Sequence, residues 1–377
     1  MNTINRIKPA PRSSHDKALS IGFVLPASGG GGGANSIVQE ALGLSRWGCA
    51  VSIFVNSGNA ATFQRNYPEL LTAAVQIREF DNAAALGAMI GTVQIACATT
   101  ALSVQLLRSA MEAVPKGVQP PQPAYYVQDY EPLFFDHGTP SWSEAFASYT
   151  LIPGMRMFAK TDWICAMVEQ NHGTRVSRVQ ASIDHEIYYP DYSRPTGGPL
   201  VIAAMVRPKT RRRAPFRTAR ILNWLAREYP DLVHIEVFGC SDEDLKLAGV
   251  ALPEAAVNHG QLRRTQVPQV LRRSDMFLDL SDYQAFGRTG LEAMSSGCIP
   301  VVPVLGGSSE YAVDGKNAFV VDTRSDEAVK AALRAFIAMS IEGRHEMKMA
   351  GIETAMAFSI DRAVSSELAL FESMLRA

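Results

Sequence analysis

The chain has 377 residues, 47% of them hydrophobic and 19% charged, with a formal net charge of −1. This is a globular composition. The balanced charge argues against a nucleic-acid partner for the protein as a whole, and the lack of any run of about 18 apolar residues excludes a membrane-spanning helix. The length exceeds one ordinary core, so two domains are expected.

Residues 1–17, MNTINRIKPAPRSSHDK, are polar and rich in Pro and Ser. They read as a flexible tail rather than an apolar leader. The first apolar run, within ALSIGFVL, predicts a strand. Five glycines follow, Gly29–Gly33, and then a helix over Ala34–Trp47. AVSIFVN, VQIREF, TVQIACA and AYYVQD read as further strands, with helices between 80 and 92 and over Ala101–Ala113. MRMFAK, a helix near 161–171 and RVSRVQ complete the first half. Pro, Gly and polar residues then cluster in YYPDYSRPTGGP, 188–199, as a linker would. Beyond it the alternation restarts: LVIAAMV, VHIEVFG, AVNHG, MFLDLS, CIPVVPV and NAFVVD read as strands with helices between, and 325–377 as helices. The expected fold class is α/β, with two Rossmann-like, doubly wound parallel sheets in tandem facing an interdomain cleft. Ligands of such sheets bind at the carboxyl ends of the strands.

The cysteines, Cys49, Cys97, Cys165, Cys240 and Cys298, are widely spaced and form no C-x-x-C pair. They read as reduced, mostly core thiols of a cytoplasmic protein. The histidines lack metal-binding spacing. Asp242-Glu243-Asp244 is a literal D-x-D, but it follows VFGCS and precedes a helical pattern, which reads as a capped helix start. No metal and no resident cofactor are expected.

The glycine run admits two ligand readings. Gly29-x-Gly31-x-x-Ala34 matches the dinucleotide fingerprint, which makes a nicotinamide-dependent oxidoreductase one candidate. The second strand ends in Asn56, however, where that fingerprint needs an acid for the ribose. In the other reading Gly31, Gly32 and Gly33 bring backbone amides and a helix N-terminus close to a phosphate or sugar.

In the second half, the strand LVIAAMV runs into Arg207, Lys209, Arg211, Arg212 and Arg213. Cations at a strand's carboxyl end suit a diphosphate. Further on, DLSDYQAFGRTGLEAMSSGCIPVVPVLGGSSEY combines a strand, a loop, a helix and a second glycine turn. Tyr283, Gln284, Phe286, Gly287, Glu292 and Gly307 are its candidate ligand-binding positions.

This stretch resembles the donor-binding core of retaining GT-B glycosyltransferases of the family 4 type, which carry E-G-F-G-x-x-x-x-E. Here Gln284 to Glu292 reads Q-A-F-G-R-T-G-L-E. The resemblance implies that Glu292 binds the nucleotide ribose and that Arg207 and Arg212 neutralise the donor diphosphate. Gln284 stands where the family has a carboxylate, and a neutral amide cannot stabilise a cation. SIDHEIYYP, 182–190, is similar to the family's interdomain segment. In the first half, YYVQDYEPLFF (125–135) resembles the Y-F-V-Q-D-[FY]-E-P segment of polysaccharide rhamnosyltransferases. The likeness runs from about residue 19 to residue 330.

The resemblance implies metal-independent, retaining transfer of a sugar, L-rhamnose from dTDP-L-rhamnose, to a glycan or lipid-linked glycan in cell-surface polysaccharide synthesis. The expected catalytic residues are Asp129, Glu131, Arg207 and Gln284. The implied domains are an acceptor-side domain over 18–192, a donor domain over 193–358 and a last helix, 359–377, returning to the first domain. The expected location is the cytoplasm, at the inner face of the plasma membrane, with Trp142–Phe146 and Met155–Phe158 as candidates for lipid contact or core packing. A sugar-nucleotide binder without turnover stays open beside the oxidoreductase.

Overall fold

Strands that are apolar along their whole length need a helix on each face, and both halves of the chain satisfy that need with parallel sheets. The structure, a computed structural model, describes residues 18–27, 29–193 and 197–376. The expected tail, 1–17, lies outside the described residues.

The first sheet comprises β1 (Ser20–Val24), β2 (Ala50–Asn56), β3 (Val75–Phe80), β4 (Ile95–Ala98), β5 (Gln122–Val127), β6 (Arg156–Ala159) and β7 (Val176–Arg178) in the order β3-β2-β1-β4-β5-β6-β7. All its pairings are parallel; Ile21 lies beside Ile95 and Val51. Helices α1 (Gly32–Arg46), α2 (Ser57–Asn66), α3 (Ala83–Ile90), α4 (Ala101–Glu112), α5 (Pro140–Ala147) and α6 (Asp162–His172) connect the strands. The sequence pattern did not reveal α2. Its segment, SGNAATFQRN, is polar, and it is fixed by the Asn56 side chain accepting from the Gly58 N–H. Strand β5 ends at Val127, so Gln128 and Asp129, expected within the strand, are loop residues. Met155, Met157 and Phe158 are buried in the core, and Trp142 stacks on Phe146 with ring centroids 4.8 Å apart.

The second sheet holds β8 (Leu200–Met205), β9 (Val233–Phe238), β10 (Val257–Asn258), β11 (Met276–Leu278), β12 (Ile299–Pro303) and β13 (Phe319–Val321) in the order β10-β9-β8-β11-β12-β13. Helices α7 (Pro215–Glu228), α8 (Asp242–Ala248), α9 (Val267–Arg273), α10 (Arg288–Ser295), α11 (Asp326–Ala338) and α12 (Ile341–Met356) flank it. Ser241 caps α8 in a capping box with Asp244, the role read from the sequence for the D-x-D stretch.

The chain divides into two units. One contains the described residues up to Ser182 together with the last helix, α13 (Ile360–Arg376); the other is Ile183–Phe358. The division thus falls before the Pro/Gly-rich stretch at 188–199. The cause is packing: Ile183 joins Leu291, Met294 and Val302, and Tyr188 joins Ala203, Phe238 and Phe277, in cores of the second unit. In the first unit α13 buries Val364, Phe371 and Met374 against Ile37, Val38 and Leu44.

A charged cluster lies within that apolar contact. Lys160 follows β6 and pairs with Glu40 of α1 and, at 3.6 Å, with Glu367 of α13. Burial, with Glu40 nearby, pushes the Glu367 carboxyl well above its ordinary value. Removing one member of a buried ion cluster leaves the others uncompensated, at a cost of about 3–5 kcal/mol. Lys160→Met is therefore expected to loosen α13 first. Hydrogen exchange should show faster exchange in α13 and α1 than in the second unit; unchanged α13 protection would contradict this role.

Candidate functional site

Strand order locates the site in the second unit. The chain runs outward from β8 to β9 and β10, then returns to β11 on the other side of β8. The crevice at such a switch point lies between the loops leaving the two central strands. Those loops carry the residues singled out in the sequence: Arg207 and Arg212 after β8, and Tyr283, Gln284, Phe286 and Gly287 after β11.

Hydrogen bonds tie these loops into one framework. The Asp282 N–H donates to the Arg212 carbonyl at 2.8 Å. Arg217 donates to the Leu280 carbonyl and to Asp282, at 2.9 and 2.8 Å. Arg213 lies 3.8 Å from Asp279. The loop after β12 joins through Gly307, whose N–H donates to the Gln284 carbonyl at 2.7 Å. That N–H is spent inside the protein, so Gly307 serves as a tie rather than as the ligand donor expected from the sequence. Gly306 has φ +106°, and a Cβ there would lie 1.9 Å from the Gln284 carbonyl oxygen, so no side chain fits.

The cations divide by partner. Lys209 pairs with Asp244, Arg213 with Asp279 and Arg217 with Asp282. Half-buried Arg207 has no hydrogen bond or ion pair among the described residues, and burial together with neighbouring Arg212 pushes its guanidinium below its ordinary value. Two adjacent like charges, one without a carboxylate, suit a multiply charged anion. Arg212 also lies over the Tyr283 ring, 5.4 Å from its centroid. Ala214 follows the three-arginine turn at φ +47°, a strained conformation of the kind found at functional loops.

Glu292 is buried on α10, where Arg288, one turn earlier, donates to it at 2.9 Å. Burial raises its carboxyl above the ordinary value, against Arg288, Arg264 and the Tyr188 hydroxyl. Arg264 in turn pairs with Asp184 at 2.6 Å, which brings SIDHEIYYP onto this network. Phe286 faces inward, against Tyr311 and Phe358, so it belongs to the core of this unit rather than to an open surface. Gly287 opens α10, and its carbonyl accepts from the Tyr311 hydroxyl at 2.6 Å.

The first unit has its own switch point, between β1 and β4. Here the glycine run meets the Q-D-Y-E-P segment. A Cβ on Gly29 would lie 2.4 Å from the Tyr67 ring, and one on Gly33 would lie 2.6 Å from Gln128 Oε1. Tyr67 pins the loop by accepting from the Gly30 N–H at 2.9 Å and donating to Asn35 at 2.7 Å. The close approach inferred from the sequence is therefore to the protein's own side chains at Gly29 and Gly33, while Gly31 and Gly32 have nothing within 4 Å. Gln128 donates to the Thr99 carbonyl at 2.9 Å. Glu131 accepts from the Ala101 N–H, at the start of α4, at 2.8 Å, and from the Tyr125 hydroxyl at 3.3 Å. Asp129 is half-buried and accepts from the Tyr130 N–H.

Comparison with solved structures identifies the architecture. Anabaena HepE, in complex with UDP and glucose, is 15% identical, covers 94% of this chain and 100% of its own, and superposes with a TM-score of 0.76. The fold is GT-B. A sucrose-phosphate synthase from Thermosynechococcus elongatus, 13% identical, covers 95% of this chain and 99% of its own, also with a TM-score of 0.76. A glycosyltransferase from Rickettsia africae, 15% identical, covers 96% and 99% with a TM-score of 0.71. Residues 247–354 match the family model "Glycosyl transferases group 1", a segment of the GT-B fold that includes Gln284, Glu292 and Gly307. No curated protein matches the sequence.

Sequence reasoning did not single out Tyr67, Gln128, Asp279, Arg288 or Tyr311. Arg288 and Glu292 stand four apart on a helix, a legible pairing signal. Tyr67, Gln128 and Tyr311 act through contacts between distant segments, and Asp279 through the folding of its own loop, neither of which a local pattern announces.

Glu131 yields a pH test. Burial pushes its carboxyl from 4.5 up to about 7, against the hydrogen bonds from Ala101 and Tyr125. The folded chain then binds more protons than the unfolded chain between those values, so stability falls as pH rises through that window. Glu131→Gln keeps the acceptor and removes the titration. Its thermal midpoint relative to wild type should improve as pH rises from 4.5 to about 7; a constant difference would contradict the assignment.

Proposed function

We propose that the protein is a glycosyltransferase that moves a sugar from a nucleoside diphosphate to a glycan acceptor. The observation that carries this reading is Arg207 beside Arg212 at the switch point of the second unit, in a GT-B fold whose following segment matches the group 1 model. The two guanidinium groups would hold the diphosphate and stabilise the charge that develops as the sugar leaves, without a metal. Glu292 would accept from the ribose hydroxyls, and Tyr283 and Gly287 would line the donor. Asp129 or Glu131 would bind or deprotonate the acceptor hydroxyl, and Gly31 and Gly32 would offer an open backbone surface to the sugar or phosphates.

HepE has been solved with UDP and glucose. For this chain we propose dTDP-L-rhamnose and retention of configuration, supported by the likeness of Tyr125–Phe135 to rhamnosyltransferases and of Gln284–Glu292 to family 4 enzymes. The acceptor would be a glycan or lipid-linked glycan of the cell envelope, reached from the cytoplasm at the inner membrane face. No helix among the described residues is long and apolar enough to cross a membrane. The nicotinamide reading is weakened by Tyr67 and Gln128 packing against Gly29 and Gly33, and by Asn56, which caps α2 where the ribose acid would stand.

Thermal unfolding with dTDP, UDP, GDP, NAD and NADP, each with and without EDTA, tests this reading. A ligand at about 100 times its dissociation constant adds roughly 2.7 kcal/mol. The expected result is a midpoint raised by dTDP regardless of EDTA, and lost in Glu292→Ala. A shift with NAD or NADP alone would overturn the proposal, and dTDP binding without release of sugar from dTDP-L-rhamnose would favour a non-catalytic binder.

A further inference from the structure

Asp279 and Gln284 form a buried pair at the carboxyl end of β11, 5% and 3% exposed. One carboxylate oxygen of Asp279 accepts from the Ser281 N–H at 3.2 Å and from the Ser281 hydroxyl at 2.5 Å. The other accepts from Gln284 Nε2 and faces Arg213 at 3.8 Å. The Ser281 hydroxyl has given its proton to Asp279, so towards Gln284 Nε2, 3.1 Å away, it can only accept. Both protons of the Gln284 amide are thereby used. The opposite amide orientation would set a carbonyl lone pair against a carboxylate. The Gln284 backbone cannot back away, because its N–H donates to the Leu305 carbonyl at 3.3 Å and its own carbonyl accepts from Gly307 at 2.7 Å. Gln284 Oε1 has no hydrogen bond among the described residues.

We propose that Gln284 is a specificity-determining residue that presents a neutral, acceptor-only oxygen to the donor sugar, and that Asp279 is the positioning residue that fixes this orientation. The inference rests on the reading of the loop after β11 as donor-binding. An acceptor-only oxygen takes a hydroxyl or an N–H and repels a carboxylate, so the site favours neutral sugars over uronic acids. A glutamate at position 284 would put two carboxylates in contact. Arg213 lies 3.8 Å from Asp279, the Asp279 charge acts on Tyr311, and a single guanidinium at that distance does not neutralise two acids.

The test compares wild type, Asp279→Asn, Gln284→Glu and the reciprocal double variant. Without any ligand, Gln284→Glu should have a lowered thermal midpoint at pH 8, a smaller deficit at pH 5 where the pair can share a proton, and substantial recovery in the double variant. Full stability of Gln284→Glu at pH 8, or a double variant no better than the sum of the single changes, would overturn the pairing. Affinities for dTDP-glucose and dTDP-glucuronic acid are then measured by calorimetry. Wild type should prefer the neutral sugar, and Asp279→Asn, whose amide lets Gln284 flip, should reduce that preference at least tenfold. An unchanged preference would overturn the specificity role. Binding of neither donor would overturn the donor reading and the specificity with it, while the ligand-free midpoints would still decide the pairing.

Discussion

The candidate site depends on a repulsion that the fold holds in place. Arg207 and Arg212 stand together after β8, where burial and then the charge of Arg212 disfavour the charged form of Arg207. Unfolded, the two would separate into water. The folded chain keeps them adjacent because the surrounding cations are matched, Lys209 by Asp244, Arg213 by Asp279 and Arg217 by Asp282, and because the Arg212 carbonyl is fastened to the next loop. The Arg207–Arg212 pair lies at the switch point, where a diphosphate would relieve the repulsion. Binding energy of this kind is set up during folding and needs little rearrangement when the ligand arrives.

The two units share a strand order and gather different side chains at it. At its switch point the second unit gathers guanidinium groups. The first gathers a carboxyl at the start of α4, Glu131, whose proton is held near neutrality by burial. A cationic edge suits a leaving diphosphate, and a carboxyl of that kind suits an acceptor hydroxyl. Both are built from loops between parallel strands, so neither needs long insertions.

Much of this was legible in the sequence. Continuous apolar runs gave the strands, and AVSIFVN and VQIREF match β2 and β3 residue for residue. Alternation with helical segments gave the parallel topology, and the position of the arginines after a strand marked the candidate anion site. The glycine run showed that the backbone passes close to something. It did not show that Tyr67, from a later segment, fills the space at Gly29. Gln284 was legible as a departure from the E-G-F-G pattern, but Asp279, which orients it, is recognised only when the β11 loop is seen folded back on itself. Phe286 and Gly307 looked like ligand contacts because they lie in the right loops; in the structure one packs inward and the other spends its N–H on Gln284. Loop membership follows from sequence, whereas side-chain direction follows from packing.

Arg207 and Arg212 are proposed to form a diphosphate site. Its most direct measurement is calorimetric titration of dTDP and of unphosphorylated thymidine into wild type and Arg207→Ala. A diphosphate site there requires dTDP to bind at least a hundredfold more tightly than thymidine to wild type, with an advantage that shrinks with added salt and is mostly lost in the variant. Equal affinities for dTDP and thymidine, or an advantage untouched by Arg207→Ala, would contradict it.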